Sequence, residues 1–243
     1  AVTGMPMLLV PEDLVLSSEV ARFGWASHYE PQGAAPLAEL DEATQLAVML
    51  AYERMQGGDS FYAPYVQSLP EELPCAWALS DAELDARLAA LHWKLGDKGV
   101  EAWRGEVLRQ RRATDAHADG AAARCRSAFP LEPSAFRWAF GTVLSRAFSS
   151  PRHLSLLPLI DLCNHGAGRD HPEAIAIGGS DEDVCFTVSS LAGGERWQPL
   201  AAGDELLIRY FDKASSKPHH GMPREAAGGD GAAALLQVSE PDA

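Results

Sequence analysis

Residues 156–166 read LLPLIDLCNHG, an apolar run broken only by Pro158 and Asp161 that ends abruptly in Asn164 and His165. Such a run belongs in a core, as a buried strand or a short helix. Asp161 interrupts it, and a buried carboxylate needs a partner. The Asn164–His165 pair then carries polar groups straight out of that core. A fold for this chain has to bury the start of the segment and bring its polar end to something that uses it.

The rest of the chain supplies the surroundings. MLLVPEDLVLSSEVARFG predicts a strand at Met7 to Val10, stopped by Pro11, then a short helix from about Ser18 with Ser17 or Ser18 as its N-cap. Residues 30–38 are rich in Pro, Gly and Ala and predict a loop. In ELDEATQLAVMLAYERMQGG, Leu40, Ala43, Ala47, Leu50 and Met55 approximate helical spacing, and Gly57 ends the helix. DSFYAPYVQSLPEELP reads as a packed irregular segment. Ser80 and Glu83 form a capping box that opens the next helix. An amphipathic helix is expected from about 97 to 113, and residues 114–127 read as a solvated loop or frayed end. LEPSAFRWAFGTVLSRAF is helical, with Phe136, Phe140, Val143, Leu144 and Ala147 on its apolar face. Short strands follow at 154–159, 174–177, 184–188 and 205–210, separated by turn residues. The order strand, helices, strands is α+β, a helical block set into a β scaffold. From about Lys217 the Gly/Ala-rich sequence has little periodicity and reads as a poorly ordered tail.

Composition narrows the function classes. The net charge of −14 opposes non-specific nucleic-acid binding, which needs clustered Lys and Arg. An acidic surface suits a basic protein partner or aids solubility. Cys75, Cys125, Cys163 and Cys185 form no CxxC pair, so neither a zinc site nor a disulfide framework is indicated. No apolar run is long enough to span a membrane.

Several residues are candidates for chemistry. A lone His such as His165 is more often structural than catalytic. Cys163, His165 and His171 match no common metal-ligand spacing. Tyr210 ends the strand ELLIRY, where its hydroxyl either meets water or points into a site at the strand edge. Arg146, late in a helix, interacts favourably with the carbonyl end of that helix, which alone accounts for it. Ser145 lacks a nucleophile-elbow context.

Singly these signals are weak; their order is specific. FRWAFGTVLSRAF, then LLPLIDLCNH, then AAGDELLIRYFDKASS resembles the SET-domain methyltransferases of the Rubisco large-subunit lysine methyltransferase type. The likeness extends back through SFYAPYVQSLP to LLVPEDLVLSSEVA and covers roughly residues 5–216.

The resemblance implies a SET-domain β-fold of small curved sheets with a helical insert. Residues 1–38 and 131–216 would be the two parts of the SET domain, 39–130 the insert and 217–243 a divergent tail. It implies S-adenosyl-L-methionine as cofactor and the lysine side chain of a protein as substrate, with histidine the target in a few close relatives. On that chemistry no metal is needed, and the charge and the lack of a long apolar run leave no nucleic-acid or membrane partner expected. Asn164 and His165 would contact the cofactor, and Arg146, in Ser-Arg-Ala-Phe, would help to hold it. Asp161 would stand at the substrate pocket and Tyr210 at the methyl-transfer channel. The Rubisco-modifying branch implies the chloroplast, while related proteins of cytosol and nucleus leave the compartment open. Two departures are visible. AVTGMP is too short for the family's Gly-x-Gly loop, and KPHHGMPREAAGG does not match its closing Tyr-Gly segment, so the chain as given reads as truncated at both ends and inactive or weak. The rival reading is a non-catalytic SET-like module that binds a protein partner. A metal-dependent hydrolase on His165 and His171 lacks ligand spacing.

Overall fold

The structure is a computed structural model that describes residues 6–25, 40–73, 75–126, 130–149, 153–165, 176–178, 185–189 and 207–208. The chain divides into two compact units. One comprises Ala1–Val20 and Arg146–His219, the other Ala21–Ser145 and His220–Ala243.

The first unit is built from short strands. β1 (Pro6–Pro11) carries a proline at each end. Proline cannot donate to a ladder, which confines such a strand to a sheet edge. β1 accordingly forms the edge of a three-stranded antiparallel sheet in the order β1–β7–β6, with β6 at Ala176–Gly178 and β7 at Cys185–Ser189. Leu9 pairs with Thr187 and Val10 with Phe186. A second antiparallel sheet runs β2 (Leu16–Ser17), β4 (Leu154–Leu156), β3 (Phe148–Ser149). It pairs Leu16 with Leu156, and both are fully buried together with Leu157 and Ile160. Burying each such side chain is worth roughly 1.5–3 kcal/mol, which makes this the core of the unit. Ser17 and Ser18 are buried here too, and both are satisfied. Ser17 Oγ accepts from Val20 N at 3.1 Å and starts the helical turn Val20–Trp25, as its N-cap chemistry predicts. Ser18 Oγ accepts from Leu154 N at 3.1 Å. A third pair joins β5 (Asn164–His165) in parallel to β8 (Leu207–Ile208).

The second unit is helical. α1 (Glu42–Gln56) starts at Asp41, whose Oδ1 accepts from Thr44 N at 3.0 Å while Oδ2 accepts from Thr44 Oγ1 at 2.6 Å. Thr44 Oγ1 lies 2.8 Å from His117 Nε2. A threonine hydroxyl has one proton, and here it goes to Asp41, so His117 Nε2 is the donor in that contact. Every residue from Ala43 to Ala51 is buried, so α1 is enclosed well beyond the single face that its spacing suggests, and only towards the end does Met55 emerge, 43 % exposed. Gly57 ends the helix at φ +55°, as expected. The segment read as irregular contains a short helix, α2 (Ala63–Ser68), with Pro64 in its first turn and Tyr65 and Val66 buried. Proline suits the first turn because that N–H has no helical partner.

α3 (Asp81–Cys125) opens on the expected capping box of Ser80 and Glu83. It is interrupted at Gly96, where φ is +65° and ψ 172°. The two arms fold back on each other. Arg104 Nε donates to Asp85 at 2.8 Å and Arg111 Nη1 to Asp81 at 2.7 Å. Leu84 and Leu88 of the first arm pack with Val107 of the second, with Val100 and Trp103 against them. The second arm runs on to Cys125, so the loop expected at 114–127 is instead helical through Cys125. Beyond Val107 its buried residues are Thr114, Ala118, Ala121 and Cys125. These recur at helical spacing but are small, so they register poorly as a hydrophobic stripe.

α4 (Pro133–Arg146) buries Phe136, Phe140 and Val143 as its pattern predicts, but Leu144 is 42 % exposed. Phe136 and Phe140 stack at 5.6 Å, and the His117 ring lies against both. Among the described residues no helix is long and apolar enough to cross a membrane.

Candidate active site

The motif segment behaves as its composition demands. After β4 the chain buries Leu157, turns at Pro158–Leu159, and forms one 3₁₀ turn over Ile160–Leu162. Asp161 N donates to Leu157 O at 3.0 Å and Cys163 N to Ile160 O at 3.1 Å. These bonds lock the turn and sink Asp161, whose side chain is fully shielded from solvent. Arg146, the last residue of α4, supplies a cation. Its Nη1 donates to the Asp161 carbonyl oxygen at 2.9 Å and stands 4.0 Å from the Asp161 carboxylate. The shorter contact is a hydrogen bond and the longer one is at the edge of a direct ion pair, so the backbone bond is the principal link. Arg146 therefore does more than complement the end of its own helix.

Directly after this turn, Asn164 and His165 enter β5. Asn164 pairs with Leu207 and His165 with Ile208. The polar exit of the apolar run thus lies beside the strand that leads towards Tyr210. Tyr210 itself is outside the described residues, as is His171. The structure brings Arg146 onto Asp161, and Asn164–His165 onto the strand before Tyr210.

Cys163 shows the electrostatics of the turn. Burial raises its thiol pKa above the ordinary value, and the neighbouring Asp161 charge raises it further. The residue stays a thiol at neutral pH, a poor ligand and a poor nucleophile.

Leu159 is a residue of this turn that sequence reading passes over. It is the single non-glycine residue with positive φ among the described residues, at +70°. In sequence it is one more leucine in an apolar run, and no composition signal marks it. In the helical unit, a cleft of about 210 Å³ is lined by Arg54, Gln67, Glu71 and Trp138 among others. The Arg54 guanidinium lies 3.9 Å over the Trp138 ring there. None of the motif residues lines that cleft.

Comparison with known proteins finds the enzymes that the sequence resembles. No family model matches the chain. The chain is 33% identical over 124 residues to the chloroplastic Rubisco large-subunit N-methyltransferase of Nicotiana tabacum, across 47% of this chain and 24% of that protein. It is 35% identical over 92 residues to the enzyme of the same name from Pisum sativum, across 33% and 17%. The alignments thus span about a quarter or less of the length of these curated relatives. Among solved structures it is similar to the SET domain of LSMT bound to lysine and AdoHcy, with TM-score 0.56, 21% identity, and coverage of 86% of this chain and 45% of that one. Rubisco LSMT bound to AdoMet gives TM-score 0.57, 20% identity, and coverage of 86% and 43%. Over part of its length the chain is similar in sequence to the Rubisco large-subunit N-methyltransferases, and it has the α+β fold of the SET domain of LSMT.

Proposed function

We propose that the protein is an S-adenosylmethionine-dependent protein-lysine N-methyltransferase of the chloroplast, with the motif turn as its active site. The observation that carries this reading is the Arg146 bond to the Asp161 carbonyl, three residues ahead of a polar pair lodged in its own parallel two-strand contact. Lysine is preferred to histidine because the solved relatives were captured with lysine and methyllysine.

The residues present fit the cofactor. Arg146 keeps a side chain one-fifth exposed, and among the described residues its only hydrogen bond uses Nη1. The rest of its planar donor fork is available for a carboxylate, the charge carried by an amino-acid moiety. The cofactor, when bound, supplies a methyl group already activated by a sulfonium. The protein's own tasks are alignment, proton management and exclusion of water. The backbone of Asn164 and His165 would hold the cofactor and Arg146 its carboxylate. Asp161 would sit at the substrate side. A lysine has an ordinary pKa of about 10.4 and must lose a proton before it attacks. An apolar channel favours the neutral amine. The Tyr210 hydroxyl would align that amine with the methyl group.

Titrating S-adenosylmethionine into the purified full-length protein by calorimetry tests the reading, followed by radiolabelled methyl transfer to lysine. Saturable binding and transfer are expected. Tyr210→Phe should keep the affinity and lose roughly 10²–10³-fold in turnover, the scale on which displaced catalytic donors act. No cofactor binding would leave the protein-binding module as the better account.

A further inference from the structure

Arg54, near the end of α1, holds its guanidinium 3.9 Å over the ring of Trp138 on α4. That ring is a fixed platform. Trp138 is buried, and its Nε1 donates to Pro70 O at 2.9 Å, so its polar group is already used. A guanidinium resting on an aromatic face keeps its N–H fork for another partner. Arg104, Arg109, Arg111 and Arg137, in the same unit, each hold a carboxylate. The Arg54 side chain makes no hydrogen bond or ion pair among the described residues.

The cleft of about 210 Å³ that Arg54 lines has Gln67 and Glu71 on its wall as well. Both are exposed, and their side chains too make no hydrogen bond or ion pair among the described residues. A positive and a negative group thus line one cleft without meeting. The apolar part of the wall is Ala63, Val66 and Leu69, all buried. A purely anionic ligand would face Glu71, and a purely cationic one would face Arg54. A ligand with both charges and an apolar body suits every part of the wall. The volume is below the roughly 300–1,000 Å³ of clefts that take drug-sized molecules, which limits the ligand to about one residue in size.

We propose that this cleft binds a free α-amino acid with an aliphatic side chain. Its carboxylate accepts from the Arg54 fork, its ammonium donates to Glu71, and its side chain covers Val66 and Leu69. The Gln67 amide offers a donor and an acceptor to the same two charged groups. The site lies wholly on the helical unit and does not depend on the methyltransferase reading.

The test is calorimetric titration of the full-length protein at pH 7 with L-leucine, leucinamide, N-acetyl-leucine and glycine. L-Leucine should bind with a dissociation constant on the order of 1 mM or below, within reach of so small a ligand. Leucinamide lacks the carboxylate, N-acetyl-leucine the ammonium and glycine the apolar body, so each should bind at least tenfold more weakly. Arg54→Met keeps an apolar stem over Trp138, and Glu71→Gln keeps the shape of its side chain. Both should lose at least tenfold in affinity for L-leucine with melting temperatures close to that of the wild type. Absence of L-leucine binding to the wild type overturns the site. Equal affinity for N-acetyl-leucine or leucinamide overturns the pairing of both charges. L-Leucine binding undiminished in Arg54→Met places the amino acid elsewhere and overturns the assignment to this cleft. The analogue series on the wild-type protein decides the matter by itself if either variant fails to fold.

Discussion

At the scale of single residues, the site depends on which contact of Arg146 dominates. The guanidinium is 2.9 Å from the Asp161 carbonyl oxygen but 4.0 Å from its carboxylate. A hydrogen bond from a charged donor to a buried carbonyl contributes about 1.5–3 kcal/mol. A charge pair 4.0 Å apart with one partner partly solvated contributes less. Arg146→Met, which keeps the apolar stem, should therefore destabilise the protein by about 2 kcal/mol in urea unfolding. Its coupling to Asp161→Asn in a double-mutant cycle should stay below about 1 kcal/mol. A coupling of about 2 kcal/mol or more would make the carboxylate the principal partner. Arg146 and Asp161 were legible as candidates because the order of their motifs is specific. Their mutual bond was not legible, since it uses a backbone carbonyl that any residue would present. Leu159 was invisible for a related reason: its conformation costs on the order of 1–3 kcal/mol and is imposed by neighbours, not by its own identity.

At the scale of elements, two glycines resist alanine for different reasons. Gly96 turns the two arms of α3 at φ +65°, and a Cβ placed there meets nothing within 4 Å. Gly96→Ala should cost about 1–3 kcal/mol from backbone strain alone, and Gly96→Asn no less, because φ +65° with ψ 172° lies outside the left-handed helical region that asparagine tolerates and is essentially confined to glycine. Gly141 lies inside α4, where alanine would ordinarily help by about 1 kcal/mol. There a Cβ would stand 2.6 Å from Leu73 Cδ1 and 3.1 Å from two Trp77 ring atoms. Gly141→Ala should therefore destabilise by about 1–3 kcal/mol through overpacking. Thermal melts of both variants check this, and a stabilised Gly141→Ala protein would show that Leu73 yields without cost. The same elements show what sequence could reveal. The capping box, the start of the first arm of α3 and the Phe136–Phe140 face of α4 were readable from propensity and spacing. The end of α3 was not. Thr114, Ala118, Ala121 and Cys125 face inward at helical spacing, but their small side chains carry little hydrophobic signal. Ala121 and Cys125 are close to fully buried all the same. α1 misleads in the other sense, since burial from Ala43 to Ala51 takes in Thr44 and Gln45, which spacing assigns to solvent.

At the scale of the whole molecule, the helical unit has an alkaline liability set by its buried thiols. Burial raises Cys75 and Cys125 from 9.0 to about 11 each. In the unfolded chain both thiols ionise near the ordinary value, so between pH 9 and 11 the unfolded state has shed protons that the folded state still holds. Stability falls with rising pH wherever the unfolded state binds fewer protons. The contribution is therefore complete below pH 9 and lost as pH climbs towards 11. A two-unit shift corresponds to roughly 2–3 kcal/mol per thiol. Tyrosines and lysines titrate over the same range, so the slope in the native protein alone does not isolate the thiols. The comparison that does is a Cys75→Ala, Cys125→Ala double variant. It should be less stable at pH 7, because Cys75 is 6 % and Cys125 1 % exposed and each leaves a void. Its stability should nevertheless fall less steeply from pH 9 to 11, so that the two curves converge. Urea unfolding at half-unit pH steps measures both slopes. Parallel curves would mean that the thiols open to water before the fold gives way, and that local fraying of the end of α3, not the global transition, governs their ionisation.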